Sequence, residues 1–296
     1  MSGSDQRTNI AQDERTAGVL VQNAYGKSKV RLTKVTRSED RHIFKEICVD
    51  IQLQGDFERT YTVGDNSQVV ATDSMKNLVY VLASNHPLED IESFGKSLAE
   101  HILTTYKHVR SVDVRLVEEL WHRILVDGKP HAHAFFGAGT EKRVAEIKAT
   151  QQSIEIKSGI EALKLVKTTD SEFWGFIRDK HTTLPDVKDR IFGTSVSVHW
   201  LYLSGNPDFQ KAYDTVRNVV LECFATHRSL AVQHTMNEIG QVALARVPDI
   251  REISIVMPNE HRIPFNLEPF ALENKNEIFI TTDQPYGLIS ATLKRV

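Results

Sequence analysis

The residues able to do chemistry fall in short, separated stretches. Asp65-Asn66-Ser67-Gln68-Val69-Val70-Ala71-Thr72-Asp73-Ser74-Met75-Lys76-Asn77 runs from an apolar extended segment into three residues of helix-capping type. Free backbone N–H groups at such a junction can hold an anion or a polarised carbonyl. Lys27, in Tyr25-Gly26-Lys27, becomes a base if it is buried beside a hydroxyl, because desolvation favours the neutral amine. Ser171-Glu172-Phe173-Trp174-Gly175-Phe176 is an aromatic cluster that can fill a core or give a planar ligand a stacking platform. Arg190 offers a fork of donors to a planar acceptor edge, or an ordinary surface ion pair. Gln233 stands near the start of an apolar helical stretch, where a buried amide needs partners for both its oxygen and its nitrogen. A heterocycle with adjacent C=O and N–H groups would supply them. Met257-Pro258-Asn259-Glu260-His261 ends a strand-like run with an Asn and a His two apart. That is a polar turn, or a proton-relaying His beside an Asn that holds a small polar molecule. Jointly these residues describe a site for a planar, multi-acceptor heterocycle with acid–base groups. His122, His131 and His133 have no carboxylate or cysteine at a recognised ligand spacing, so no metal is assigned to them.

The elements that must position these residues follow from periodicity. Alternation from Gly18 through Val19, Val21, Val30 and Leu32, then through Ile43, Ile47, Val49, Ile51 and Leu53, predicts an antiparallel strand pair. A helix follows the Thr72 junction. Pro87 is expected to open another that carries Ile91, Phe94, Leu98 and Ile102. Val112 to Trp121 and His131 to Phe136 make a hairpin turning at Asp127-Gly128. The order then repeats. Strands run from Ile154 to Leu165 and from Thr194 to Val198, and helices start at Asp208 and near Ser229. Strands at Ile253–Met257, Ile278–Ile280 and Leu288-Ile289 close the chain. The prediction is an α+β chain of two tandem ββααββ domains, with antiparallel sheets and helices on one face. The domains span 18–150 and 151–296 and follow a flexible polar leader over 1–17. Open sheet edges suggest pairing with further copies of the chain.

The 296 residues suit two domains of about 100–150 residues. A net charge of −3 gives no general attraction to nucleic acid or to anionic membrane. No stretch approaches the apolar length of a membrane span, and the first residues lack the apolar core of a secretory signal. Cys48 and Cys223, far apart among apolar neighbours, are expected buried and reduced, which suits a cytoplasmic protein.

Tyr25-Gly26-Lys27, Asp65-Asn66-Ser67 with Val70-Ala71-Thr72-Asp73-Ser74, and Phe173-Trp174-Gly175-Phe176-x-Arg178-Asp179 together resemble urate oxidase (uricase). So do Asp189-Arg190-Ile191, Val232-Gln233-x-Thr235-Met236 and Pro258-Asn259-x-His261, in family order from about Val19 to the end of the chain. The resemblance implies two T-fold domains in a homotetramer whose sheets form a tunnel-shaped barrel with active sites at subunit interfaces. It implies oxidation of urate by O2 to 5-hydroxyisourate and H2O2, with no metal or organic cofactor. Phe173 would stack on the purine, while Arg190 and Gln233 grip its polar edge with help from the Val232 backbone. Thr72 and Asp73 would hold the five-membered ring, and Asn259 with Thr72 would hold O2 and then water. Lys27, Thr72 and His261 would form the proton relay. The chain ends Thr292-Leu293-Lys294-Arg295-Val296 and so departs from the Ser-Lys-Leu type address of peroxisomal family members. Another purine- or pterin-binding T-fold enzyme, a silent urate-binding protein, and a copper oxidase using the three histidines are the rival readings.

Overall fold

A computed structural model describes residues 18–296, and the leader expected over 1–17 lies outside them. The first strand does not begin at Gly18. Val19 and Val21 are exposed with no strand beside them, and β1 (Tyr25–Thr36) starts only where β2 (Ile43–Gly55) can pair with it. A short α1 (Glu58–Val63), α2 (Thr72–Asn85) and α3 (Ile91–Thr105) follow, then β3 (Val109–Val126) and β4 (Lys129–Thr150). The second half repeats the plan: β5 (Ile154–Lys167), β6 (Phe192–Tyr202), α4 (Phe209–Thr226), α5 (Val232–Arg246), β7 (Ile250–Pro264) and β8 (Phe279–Lys294). The strands form one eight-stranded antiparallel sheet in chain order. β4 and β5 therefore join the halves, and β1 and β8 are the edges.

Period-2 alternation drives this arrangement. Val49, Ile51, Val114, Leu116, Val198 and Ile255 are buried toward the helices. Their strand neighbours carry charge on the helix-free face. There Arg115 reaches Glu146 and Glu161 at 3.1 Å each, and His199 Nε2 lies 3.1 Å from Glu161. The β3–β4 hairpin turns at Asp127 and Gly128, both with positive φ (51° and 74°), as its sequence predicts.

Two helix starts differ from expectation. α3 opens after Asp90, whose carboxylate accepts from the Ser93 N–H at 2.7 Å, because that side chain satisfies an orphan donor. Pro87 stands upstream, separated from the helix by Leu88 at φ 59°. α2 begins at Thr72 with Ala71 as N-cap and no side-chain cap, so Thr72, Asp73 and Ser74 lie inside the first turn. α4 does begin after Asp208, which accepts from the Lys211 N–H at 2.9 Å.

The repeat extends to single side chains. Lys34 on β1 donates to the Ala83 and His86 carbonyls at the end of α2, at 2.7 and 2.5 Å. Lys167 on β5 donates to the His227 carbonyl at the end of α4, at 2.6 Å. A buried polar cluster locks the halves together. Glu92 on α3 accepts from Arg143 on β4 at 2.8 Å and from Ser158 on β5 at 2.5 Å. Cys223 is buried, Cys48 only half-buried, and both are free. Among the described residues no helix is long and apolar enough to cross a membrane.

Candidate active site

The structure gathers the candidate residues into two groups. Lys27, Thr72 and Asp73 form the first. The Tyr25 hydroxyl donates to the Val70 carbonyl at 3.2 Å and accepts from the Val70 N–H at 2.8 Å, tying the loop before α2 to the start of β1. Asp73, three residues past Val70, lies within electrostatic range of Lys27. Burial pushes the Tyr25 phenol up, so it keeps its proton and can donate. Asp73 accepts from Lys76 Nζ at 2.5 Å and from Asn77 at 3.0 Å. Lys76 holds its carboxyl below the usual range, and Lys27 adds a weaker pull. With no side-chain cap, the first-turn N–H groups of α2 are open to an acceptor. Gly26 is required next to Lys27, because a Cβ there would lie 1.8 Å from the Ile51 carbonyl oxygen.

The second group is Phe173, Arg190, Val232, Gln233, Asn259 and His261. The segment 168–191 between β5 and β6 has no regular helix and is pinned by its main chain. Phe173 and Val187 exchange backbone hydrogen bonds, the Glu172 N–H donates to Ser229, and the Arg190 N–H donates to Ser171. A parallel bridge joins Ser171 to Ser229, just ahead of α5, so Val232 and Gln233 come to the same place. Phe176 stacks on Phe173 with ring centroids 4.9 Å apart and planes 9° apart. The Arg190 guanidinium lies 5.4 Å from the Phe173 centroid. Gly193 pairs with Glu260, which brings Arg190 to the end of the sheet that carries Asn259 and His261.

Arg190 has no carboxylate partner among the described residues, its buried Nε has no hydrogen bond, and burial pushes its guanidinium down. Ser171 Oγ, Thr194 Oγ1 and His227 Nε2, on the same segments, are also buried without partners. Unpartnered buried polar atoms also occur away from these segments, at Asn23, Glu118, Arg143, Trp200 and Tyr202.

Some expectations change. Gln233 is exposed in the single chain, at the first turn of α5, so burial does not constrain its amide. Asn259 and His261 do not end a strand. Both lie within β7, half-buried, opposite Gly287 and Thr282 of β8, with a shift of register between them. Among the histidines, His131 and His133 adjoin with centroids 4.5 Å apart, but His42, at 5.7 Å, is what reaches His133. His122 packs on Phe136 instead. Among the described residues no group of three His, Cys, Asp or Glu is placed to hold a metal. The anchoring contact of Tyr25 and the pairing of Arg228 escaped sequence reasoning, because their partners lie 45 and 56 residues away.

The two groups do not meet within one chain. One sits on the edge strand β1 and the helix beside it, the other at β6, β7 and α5 toward the opposite edge. Cavities of about 290 and 180 Å³ open on the charged face instead, and no candidate residue lines them.

A family model described as Uricase matches residues 23–148 and 156–290. The uricase of Arthrobacter globiformis is 42% identical over 280 residues, covering 95% of this chain and 91% of that protein. The uricase of Oryctolagus cuniculus is 39% identical over 283 residues, covering 93% and 94%. The crystal structure of the Arthrobacter globiformis uricase superposes with a TM-score of 0.90, covering 95% of this chain and 96% of that one. A urate oxidase structure from Bacillus sp. TB-90 has a TM-score of 0.80 at 26% identity, covering 93% and 100%.

Proposed function

The chain belongs to the uricase family, and on that premise we propose that it oxidises urate without metal or organic cofactor, at sites shared between copies of itself. The family makes it a urate oxidase, an oxidoreductase. The net reaction is urate, O2 and water giving 5-hydroxyisourate and H2O2. The observation that carries the site is Arg190, a partly desolvated guanidinium with no anionic partner among the described residues, set against the Phe173 ring. A planar purine anion supplies what that pair lacks: a π-face and an acceptor edge.

In this reading Phe173 carries the purine plane, and Arg190 and Gln233 grip its polar edge with the Val232 backbone. The Thr72 and Asp73 backbone, at the uncapped start of α2, holds the five-membered ring of the substrate. Lys27 draws a proton from bound urate through the Thr72 hydroxyl, with His261 completing the relay. The resulting electron-rich dianion gives two electrons to O2, held by Asn259 and Thr72. Oxygen takes two protons and leaves as H2O2. Water, in the place oxygen vacated, adds its hydroxyl to the ring.

The separation of the two residue groups toward opposite sheet edges supports a shared site. Open edges at β1 and β8 support assembly into a homotetramer by edge pairing. Tandem domains over 18–150 and 151–296 and a cytoplasmic setting, consistent with two free cysteines, belong to the same proposal.

The test is chelator-treated, metal-quantified protein mixed with urate in air and under nitrogen, following urate absorbance and peroxide. Oxygen-dependent urate loss with equal peroxide is expected. Turnover that needs added copper would overturn the cofactor-free reading. Binding without turnover would leave only a urate-binding protein.

A further inference from the structure

We infer that Glu172 and Arg228 form a clamp that sets the distance between the stacking ring and the residues that read the substrate's edge. The inference rests on the site proposed above. Glu172 immediately precedes Phe173 and is buried, with its side chain 7% exposed. One carboxylate oxygen accepts from the Trp174 indole N–H at 2.7 Å, and the other accepts from Arg228 Nε at 2.7 Å. Its own N–H donates to the Ser229 carbonyl at 2.7 Å. One carboxylate therefore holds both flanks of Phe173 and ties them to the loop that leads into Val232 and Gln233.

Trp174 is 55% exposed, with Lys188 Nζ 5.6 Å from its ring centroid, and the Arg228 side chain is 66% exposed. Among the described residues the Glu172 carboxylate is the side-chain hydrogen-bond partner of both. The Trp174 N–H and then Arg228 hold the Glu172 carboxyl below its ordinary range, so the clamp is charged near neutrality. An ion pair with so exposed a partner adds little to global stability. Its consequence is local. A small displacement of a binding group costs far more in substrate positioning than in fold stability. Glu172 and Arg228 are thus positioning residues, and neither need touch the purine.

The test compares kcat, KM for urate and Tm for the full chain, Glu172→Gln, Arg228→Gln, the double variant, and Phe173→Ala. Arg246→Gln, at an exposed 2.6 Å pair with Glu222, is the control. Each clamp single should raise KM about fivefold with kcat within about twofold and Tm near that of the parent. The double should be no worse than the poorer single, because both remove one interaction. Arg228 is largely exposed, so its variant folds even if the Glu172 variant does not. Unchanged KM in Arg228→Gln, fully additive singles, or KM and Tm worsening in parallel would overturn the clamp. If Phe173→Ala raises KM while the clamp variants do not, the clamp alone fails. If Phe173→Ala leaves KM unchanged, the site reading fails with it.

Discussion

At the scale of the residue, function depends on groups whose chemistry is ordinary until their surroundings are set. Lys27 is a half-buried lysine on a strand, two residues from Tyr25, whose hydroxyl anchors Val70 just ahead of Thr72. Replacing Lys27 by Ala should lower kcat by about 10²–10⁴-fold, the usual contribution of a positioned base, and leave KM little changed. Steady-state urate consumption checks this, and full turnover in the variant would remove Lys27 from the relay. Residue types pointed to two side chains that the fold does bring together. Phe173 and Arg190 stand 17 positions apart in the chain yet adjoin in space. Residue types could not show that Gln233 is exposed, because exposure depends on what packs against α5 and not on the helix's own pattern.

At the scale of the element, the geometry around the candidate groups is set by backbone approach and by charge ladders. A side chain at position 26 meets the backbone of β2, which cannot swing away. Gly26→Ala should therefore cost about 1–3 kcal/mol, as overpacking does, and should lower turnover by displacing Lys27. Chemical denaturation with parallel kinetics reads both effects. On the charged face, His199 first and Arg115 next hold the Glu161 carboxyl at about 2 against an ordinary 4.5. The folded state thus prefers the ionised form more than the unfolded chain does. The resulting stability is present above pH 4.5 and is lost as pH falls from there toward 2. The denaturation midpoint should fall more steeply over that window in the parent than in Glu161→Gln, and equal slopes would contradict the assignment. Strand and helix existence was readable from periodicity. The start of α3 was not, because Asp90 and Pro87 are both legitimate openers and only the hydrogen bond to Ser93 decides between them.

At the scale of the whole molecule, one chain places the first group on the β1 edge and the second toward the β8 edge. If sites are shared between copies, a Lys27→Ala chain and an Arg190→Gln chain, each inactive, should complement when co-assembled. Random mixing would restore about a quarter of the sites, because each interface draws one group from each of two chains. No recovery in a mass-verified mixed oligomer would mean that each chain carries a complete site. By itself the sequence determined the repeated α+β plan, since alternation and helical spacing are local consequences of which residues must leave water. Through its joined motifs it also determined the family and hence the substrate. Tertiary structure decided the rest: one continuous sheet instead of two separate ones, the buried Glu92–Arg143–Ser158 lock between the halves, and the zipping of 171–173, 190 and 229–233 into one wall. Those are contacts between residues far apart in the chain. Their geometry exists only once strand register and helix packing have brought them together.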